Sequence, residues 1–553
     1  TGKEFKEYFK NKKIVNFVHT GKPSDDSIDM VFNKKRADDR KHWLENDYQR
    51  ESFLNTSTET VSYEDFICKE FIHFSKYDCD SSIPNLMDGL KISLRKILFA
   101  AFKKPLHTEI KVAQFSGYVS EHSCYHHGEA SLNQAIKGMA QNFVGSNNIN
   151  LLVPNGQFGT RLQGGEDSAS ERYIFTHLNK ITRTLFPELD DAILHYLDDD
   201  GTRVEPTFYA PILPNILING SKGIGTGFST DVMCYNPLDI LAYVRTKLGQ
   251  PSPIVPEFVP YYEGFCGTIV QVSPTKFCIK GKYQRIGPDL IRVTELPVGF
   301  WTQDFKELLE HLLEPEKDGK KGVTHIKDYD DMSKDTTVEF TISFIKGHLD
   351  MLEAENFEYD CNGVEKLLKL YTTHTNTNMH LFTAEDKLKK YNTVQEIIDD
   401  YFDVRLELYN VRKQHIIKSL ETELTVLKNK SKYIHEILYN IVDLRNKNKN
   451  EINDMLVLRK FQKIDEDYKY LTKMPMDSVT KENVENLNFL KTEKEKELET
   501  ITNTSVQEFW LRELGVFEKE YKNYMTIRNA DTLQMLPQHG KKTIKKHVLK
   551  IVE

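Results

Sequence analysis

The chain has 553 residues, 39% of them apolar and 28% charged, and carries a net charge of −8. That length is too great for one hydrophobic core, so roughly three to five domains are expected, and a composition with 31 Phe and 26 Tyr excludes a disordered chain. No apolar run approaches the ~20 residues that span a bilayer, the lysine-rich start does not read as a signal peptide, and seven scattered Cys without a CxxC pair argue against a disulfide framework or zinc cluster and for a reducing compartment.

Residues 3–9 read as a helix and 14–18 as a short strand, a small piece that fits the end of a truncated domain. Residues 24–57 are charged and helical, and 56–60 form a polar linker. Several short helices follow between 61 and 190. Ser62 can cap one that carries Phe66, Ile67, Phe71 and Ile72. Pro84 and Gly89 break the chain before a second over 92–102, where Leu94, Ile97 and Leu98 form an apolar stripe and Arg95 and Lys96 project elsewhere. A third spans about 128–143. Such a dense set suits a helix-turn-helix or winged-helix unit. From 200 to 390, short β-rich runs at 268–270, 277–279 and 291–293 alternate with Pro and Gly, as in a separate mixed α/β domain. Residues 391–545 are helical and nearly free of Gly and Pro. Here Ile417, Leu420, Leu424, Leu427, Ser431, Ile434, Leu438 and Ile441 repeat in steps of three and four, a heptad pattern with one polar break. A second long helix over about 480–500 gives either an internal helical bundle or a protruding antiparallel arm. In the second case residues 442–478 are its tip, with Met455, Leu456, Leu458 and Phe461 as apolar surface.

Charge is unevenly spread. Over residues 91–137 seven basic side chains face three acidic ones, with four His added. That region is electrostatically fit for phosphate although the whole chain is acidic. Further on, Gly156, Gly159, Gly164 and Gly165 precede Arg172 and Tyr173. Glycine-rich backbone can approach a phosphate closely and present its N–H groups; the segment is not a GxxxxGK[ST] nucleotide loop. A tyrosine hydroxyl can attack phosphorus and conserve the bond energy in a phosphotyrosyl link. With an ordinary pKa near ~10 it needs a cation, a metal or a base, and Arg172, Arg161 and His127 are the local candidates. His126 and His127 suit phosphate contact or proton transfer, or a plain hydrogen-bonded helix start; Cys124 stands too close for standard zinc geometry. A second glycine-rich loop, 219–227, holds Ile224 between Gly223 and Gly225, where it either enters the core or wedges between base pairs.

Longer runs are more specific. Ser82-Ile83-Pro84 with Asp88-Gly89-Leu90-Lys91, Arg95-Lys96, Tyr125-His126-His127-Gly128-Glu129 and the stretch from Ala140 to Asn148 come first. Gly156-Gln157-Phe158-Gly159-Thr160-Arg161-Leu162, Asp167-Ser168-Ala169-Ser170 and Arg172-Tyr173-Ile174-Phe175-Thr176 follow, then Arg203-Val204-Glu205-Pro206, Ile218-Asn219-Gly220, Gly223-Ile224-Gly225-Thr226-Gly227 and Thr294-Glu295-Leu296-Pro297. In this order they resemble the DNA-binding and cleavage core of the eukaryotic-type (type IIA) DNA topoisomerases, over nearly the whole chain.

The resemblance implies a multidomain α/β and α fold. Residues 1–20 are the end of a TOPRIM domain, 21–60 a connecting helical segment, 61–195 a winged-helix DNA-binding domain with the catalytic tyrosine, 196–390 a mixed α/β tower domain, and 391–553 a long antiparallel coiled-coil arm with a small globular tip that forms the exit gate. It makes Tyr173 the nucleophile of a transient 5′-phosphotyrosyl double-strand break and Arg172 its phosphate positioner. His126 and His127 match the family's histidine pair near the cleavage site. Lys91, Arg95, Lys96, Gln157 and Arg161 match DNA-facing positions, and Ile224 the residue that intercalates and helps bend the duplex. The partners implied are double-stranded DNA and a second copy of the chain, with no membrane. Mg²⁺ is expected to be held by acidic residues upstream of this chain, and ATP to be bound by the full-length enzyme, so the chain alone is expected to bind DNA but cleave it poorly. Glu171 departs from the small residue or proline usual before the Arg-Tyr pair. The acidic insert often found in the coiled-coil region is absent; the compactness leans toward a streamlined organism or a large DNA virus, with nuclear or host-cell localisation accordingly. On the residues alone, a non-catalytic DNA-bending dimer and a coiled-coil scaffold are the alternatives.

Overall fold

In a computed structural model, residues 1–534 are described except 13, 56, 251–256, 314–323, 446 and 465; the end of the expected arm domain, 535–553, lies outside them. Thr1 and Glu4 form a capping box on the helix Gly2–Lys10. The strand Asn16–Val18 then pairs in parallel with Thr60–Ser62. A parallel pair needs a crossover, which the helices Lys22–Phe32 and Ala37–Asn46 supply.

Ser62 caps as its sequence position predicts, accepting the Asp65 N–H at 3.1 Å. Its helix continues through a π turn, Ile67–Phe71, into α1 (Ile72–Ser82). The predicted second helix is α2 (Ile92–Lys103), with Ile97 and Leu98 buried. A short strand β1 (Ile110–Lys111) leads into α3 (Val112–Ser123), and α4 (Glu129–Ala140) follows the histidine pair. These three helices pack on one another. The glycine-rich segment returns as β2 (Phe175–Thr176), antiparallel to β1. β3 (Ser221–Ile224) and β4 (Ser229–Val232) form a hairpin. The main core runs through α2, α3, α4 and the glycine-rich segment and includes Leu98, Phe115, Ile136, Ile174, Leu217 and Tyr235, whereas Ile72 and Cys79 of α1 belong to a separate cluster with Trp43 and Phe228.

The β-rich runs form two sheets. Tyr371–Thr375, Lys276–Lys280 and Thr268–Ser273 make one; Lys282–Gly287, Leu290–Glu295, Phe340–Phe344 and Ile326–Asp331 make a four-stranded antiparallel one in that order. Along Leu290–Glu295, Ile291 and Val293 point to one face and are fully buried, the two-residue period of a sheet with one covered side. They meet Phe305, Phe340 and Ile342 in a second core.

The heptad run lies on α5 (Val394–Leu438), whose N-cap Thr393 accepts the Glu396 N–H. Its 45 residues extend roughly 68 Å at 1.5 Å each. It pairs antiparallel with α6 (Lys481–Asn503) through Lys494–Glu423 (3.3 Å) and Lys428–Glu495 (3.1 Å). Ser431, the polar break, donates to Asn488 across the seam at 2.8 Å. No residue of α6 is buried. Two expectations are corrected. Ile441 falls beyond the end of α5 and is exposed, and Leu456 and Phe461 are not tip surface but the tip's own core, with Tyr433, Tyr468 and Leu471. The outer apolar face is Val457 and Leu458, 54% and 82% exposed. The last helix, α7 (Val506–Gln534), returns to the body: Trp510 stacks on Phe402 and Tyr409 and donates to the Ile212 carbonyl at 3.0 Å. No helix among the described residues is long and apolar enough to cross a membrane.

Candidate functional site

Tyr173 stands on a turn just before β2, its side chain 76% exposed. The backbone around it is tightly held. The first N–H groups of a helix have no intrahelical acceptor; here those of Val112 and Ala113, at the start of α3, donate to the Ile174 and Glu171 carbonyls, each at 3.1 Å. Phe175 exchanges two hydrogen bonds with Asn155 (3.0 and 2.9 Å), and Ile174 is buried. Arg172 is exposed, with no hydrogen-bond or ion-pair partner among the described residues. One rigid turn therefore carries a free hydroxyl beside a free guanidinium.

The glycines before this turn serve packing against protein. Gly159, Gly164 and Gly165 all have positive φ. A Cβ on Gly159 would come within 2.5 Å of Gly165 Cα, one on Gly164 within 2.3 Å of the Trp301 indole, and one on Gly165 within 2.4 Å of the Gln141 amide. The expectation of glycine backbone open to a phosphate is thus not met at these three positions. Asp167 ties the loop by accepting from the Thr160 N–H (2.8 Å) and hydroxyl (2.5 Å), and Lys137 reaches Ser168 at 2.9 Å. Gln157 stays exposed on the loop surface, its amide 3.5 Å from Asp167.

The histidine pair lies at the other end of α3, after a left-handed Cys124 (φ 50°) that stops the helix. Twelve residues of helix are about 18 Å long, so within one chain the pair and Tyr173 are far apart, and His127 is not a local base for that hydroxyl. Both rings are exposed. His126 Nε2 lies 3.2 Å from Asp199 and His127 Nε2 2.9 Å from the Tyr77 hydroxyl of α1.

Three expected DNA-facing cations are turned inward. Arg95 is 6% exposed and gives Nε to Asp88 at 2.6 Å and Nη2 to Asp88 and the Leu90 carbonyl at 3.1 and 2.9 Å. Lys96 bonds Glu205 at 2.8 Å and the Ser123 carbonyl at 2.6 Å. Arg161, 7% exposed, pairs with Glu295. Their partners are nearly inaccessible carboxylates, and a buried charge must be paired; this takes Arg95 and Arg161 off the surface and leaves Lys96 only partly exposed. Lys91 donates to the Lys222 carbonyl at 2.7 Å, and burial pulls its ammonium below the usual lysine range.

Ile224 does not enter the core: it is 83% exposed at the tip of the β3–β4 hairpin. The flanking glycines explain why. A Cβ on Gly223 would meet the Ser82 carbonyl oxygen at 2.0 Å, and one on Gly225 would meet Cys79 Cα at 3.0 Å. The hairpin backbone is pressed onto α1, and the side chain between the glycines points outward. Thr226 adds two bonds to α1, donating to Asp78 at 3.0 Å and accepting from the Cys79 thiol at 3.3 Å. Sequence reasoning missed Tyr77, which lies in no motif, and gave Thr226 no role although it stands in the Gly223–Gly227 run.

A free tyrosine hydroxyl beside an unpaired arginine, an exposed histidine pair and a projecting isoleucine are the exposed groups of the candidate site. Comparisons carry this to a family. A family model for the DNA gyrase/topoisomerase IV A-subunit matches residues 81–515, and one for the C-terminal associated domain of TOPRIM matches residues 1–79. DNA topoisomerase 2 of Plasmodium falciparum is 40% identical over 96% of this chain and 40% of its own length, and DNA topoisomerase 2-alpha of Homo sapiens 38% identical over 98% of this chain and 38% of its own. A crystal structure of the DNA-binding, cleavage and re-ligation domain of Plasmodium falciparum topoisomerase II superposes with a TM-score of 0.83 at 40% identity, covering 97% of this chain and 75% of that one. The chain belongs to the type IIA DNA topoisomerase family, on the side of the eukaryotic topoisomerase II enzymes. It spans about two fifths of the length of these curated relatives.

Proposed function

We propose that this chain is the DNA-binding and cleavage core of an ATP-dependent type II DNA topoisomerase that acts on double-stranded DNA as a homodimer. The observation that carries this is Tyr173, exposed and unbonded at its hydroxyl on a held turn, with Arg172 unpaired beside it. The Tyr173 oxygen attacks a backbone phosphorus and gives up its proton. The bond from phosphorus to the 3′ oxygen breaks, that oxygen takes a proton, and the 5′ phosphate stays on the tyrosine. Religation reverses the step after a second duplex has passed. Arg172 holds the phosphate by charge-assisted hydrogen bonds. Because α3 keeps His126 and His127 about one helix length from Tyr173 of the same chain, a site containing all of them takes the tyrosine from one copy and the histidines from the other.

Ile224 is the wedge that kinks the bound duplex, and Gln157 and Lys91 add contacts. The expected units, winged-helix over 61–195, tower over 196–390 and coiled-coil arm with its exit-gate tip from 391, fit this reading; Val457 and Leu458 are the face offered to a second tip. Among the described residues no three or more His, Cys, Asp or Glu are grouped to hold a metal, and Asp167 is committed to Thr160. This reading assigns the acidic Mg²⁺ ligands and the ATP site to parts of the full-length enzyme outside this sequence. The test is a denaturant-resistant protein–DNA adduct formed by the full-length protein with Mg²⁺, expected to vanish in Tyr173→Phe while duplex affinity persists. An adduct of undiminished yield in that variant overturns the assignment.

A further inference from the structure

Three consecutive residues of α1 hold two separate parts of the proposed site. Tyr77 meets His127 Nε2 through its hydroxyl at 2.9 Å. Asp78 accepts the Thr226 hydroxyl at 3.0 Å, and the Cys79 thiol donates to the Thr226 carbonyl at 3.3 Å. Thr226 sits two residues beyond Ile224, in the turn of the hairpin that projects it. This hairpin has little independent freedom: Gly223 and Gly225 bring its backbone against Ser82 and Cys79 of α1, and Lys91 grips the Lys222 carbonyl from the start of α2. His127, by contrast, is exposed, with Tyr77 as its one hydrogen-bond partner among the described residues; the Tyr125 ring lies edge-on at 5.3 Å.

We infer that Tyr77 is a positioning residue that couples His127 to the Ile224 hairpin through α1, so that insertion of the isoleucine between base pairs and orientation of the histidine are one event. The inference rests on the cleavage reading above and goes beyond it. The physical argument is short. A hydrogen bond to a ring with two rotatable bonds restrains its plane, and Tyr77 lies within the same helical turn as the Asp78 and Cys79 contacts to the hairpin. A duplex pushing on Ile224 loads Thr226, hence Asp78 and Cys79, and hence the adjacent Tyr77. Tyr77 is half exposed, so its hydroxyl contributes orientation rather than core stability.

The experiment uses the full-length homodimer with Mg²⁺ and a duplex carrying a strong cleavage site. Duplex affinity and the single-turnover rate of adduct formation are measured for Tyr77→Phe, His127→Ala and the double variant. Tyr77→Phe keeps the ring and loses only the hydroxyl. It is expected to leave affinity within about twofold and melting temperature unchanged, and to slow adduct formation roughly fivefold, the weight of one net hydrogen bond. Combined with His127→Ala it is expected to add nothing, because both act through the same imidazole. Thr226→Val, which removes the bond to Asp78, is expected to slow adduct formation in the same direction. A Tyr77→Phe rate equal to wild type overturns the inference, as does a full multiplicative effect on top of His127→Ala. If His127→Ala itself leaves the rate unchanged while Tyr173→Phe abolishes the adduct, the histidine's role and this coupling fall together and the cleavage reading stands; if Tyr173→Phe still forms adduct, the cleavage reading is what fails.

Discussion

Replacing Arg95 by Met separates a structural cation from a DNA contact. The substitution keeps most of the alkyl stem and removes the guanidinium, leaving Asp88 at 0% exposure without its counter-charge. Breaking one side of a buried pair costs about 3–5 kcal/mol. The lower end is the better figure here, because Asp88 also accepts the Leu90 and Tyr209 N–H groups, both at 2.9 Å, and keeps those bonds. About 3 kcal/mol is a factor of roughly 150 in an opening equilibrium. The change is local to α2 and the chain around Tyr209, so amide hydrogen exchange is the fitting assay: the amides of Ile97, Leu98 and Phe99 should exchange one hundred to several hundred times faster than in the parent. Arg95→Met combined with Asp88→Asn should recover part of that protection, since the buried charge is then gone from both sides. The reasoning is refuted if exchange in α2 is unchanged while duplex affinity drops, the pattern of a surface phosphate contact.

Ile224→Ala exposes the opposite logic. A side chain 83% exposed carries little folding energy, so stability should stay within about 0.5 kcal/mol, while the bend of a bound duplex measured by end-to-end fluorescence transfer should fall sharply. The histidines of the hairpin region set an acid limit. Burial is the main cause holding His380 and His374 below the usual imidazole range; Lys41 and Lys390 push His380 further down, partly offset by its bond to the Ser229 carbonyl, and Lys222 acts likewise on His374. The unfolded rings take up protons as pH falls through about 6.5, the folded ones only at lower pH. Their stabilisation is therefore complete above that value and is lost as pH falls through the folded values. Chemical denaturation should show the midpoint dropping as pH falls below about 6.5, with a shallower drop in His380→Gln.

What the sequence made legible follows physical range. All the heptad residues but Ile441 lie on one helix, so local periodicity located α5 and even its polar seam residue. Ser62 as a cap and the strand runs near 269, 278 and 292 are likewise local. The glycine-rich segment was visible, but its partners Trp301 and Gln141 were not, so the glycines looked open when they are filled. The acids that take up Lys96 and Arg161 lie 109 and 134 residues away, beyond any spacing argument. Asp88 is only seven residues before Arg95, yet across a non-helical turn no periodic rule joins them. Ile224 stayed undecided on the residues alone, since a branched apolar side chain between glycines fits a core as well as a wedge; the backbone contact with α1 decides it.

That distinction between counted and available charge fixes how the chain should respond to salt. The basic candidates on the sequence are Lys91, Arg95, Lys96, Lys103, Lys104, Lys111, Lys137, Arg161 and Arg172. Arg95, Lys96 and Arg161 are neutralised by Asp88, Glu205 and Glu295 inside the fold. Lys91 and Lys137 are bonded to a carbonyl and a hydroxyl, with no carboxylate partner among the described residues. Each phosphate neutralised adds about 0.9 to the steepness of log affinity against log salt, so removing the three paired cations from the count flattens the expected dependence by roughly 2.7 per chain. Titration of a duplex across a salt series reads this directly. Arg172→Gln and Lys111→Gln should each reduce the slope by about 0.9, while charge-removing substitutions at Arg95, Lys96 and Arg161, where the folded fraction is retained, should leave it unchanged. A slope that falls equally at all five positions would mean that the inward pairs open when DNA binds, and that the cations hidden in the free chain are spent on phosphate in the complex.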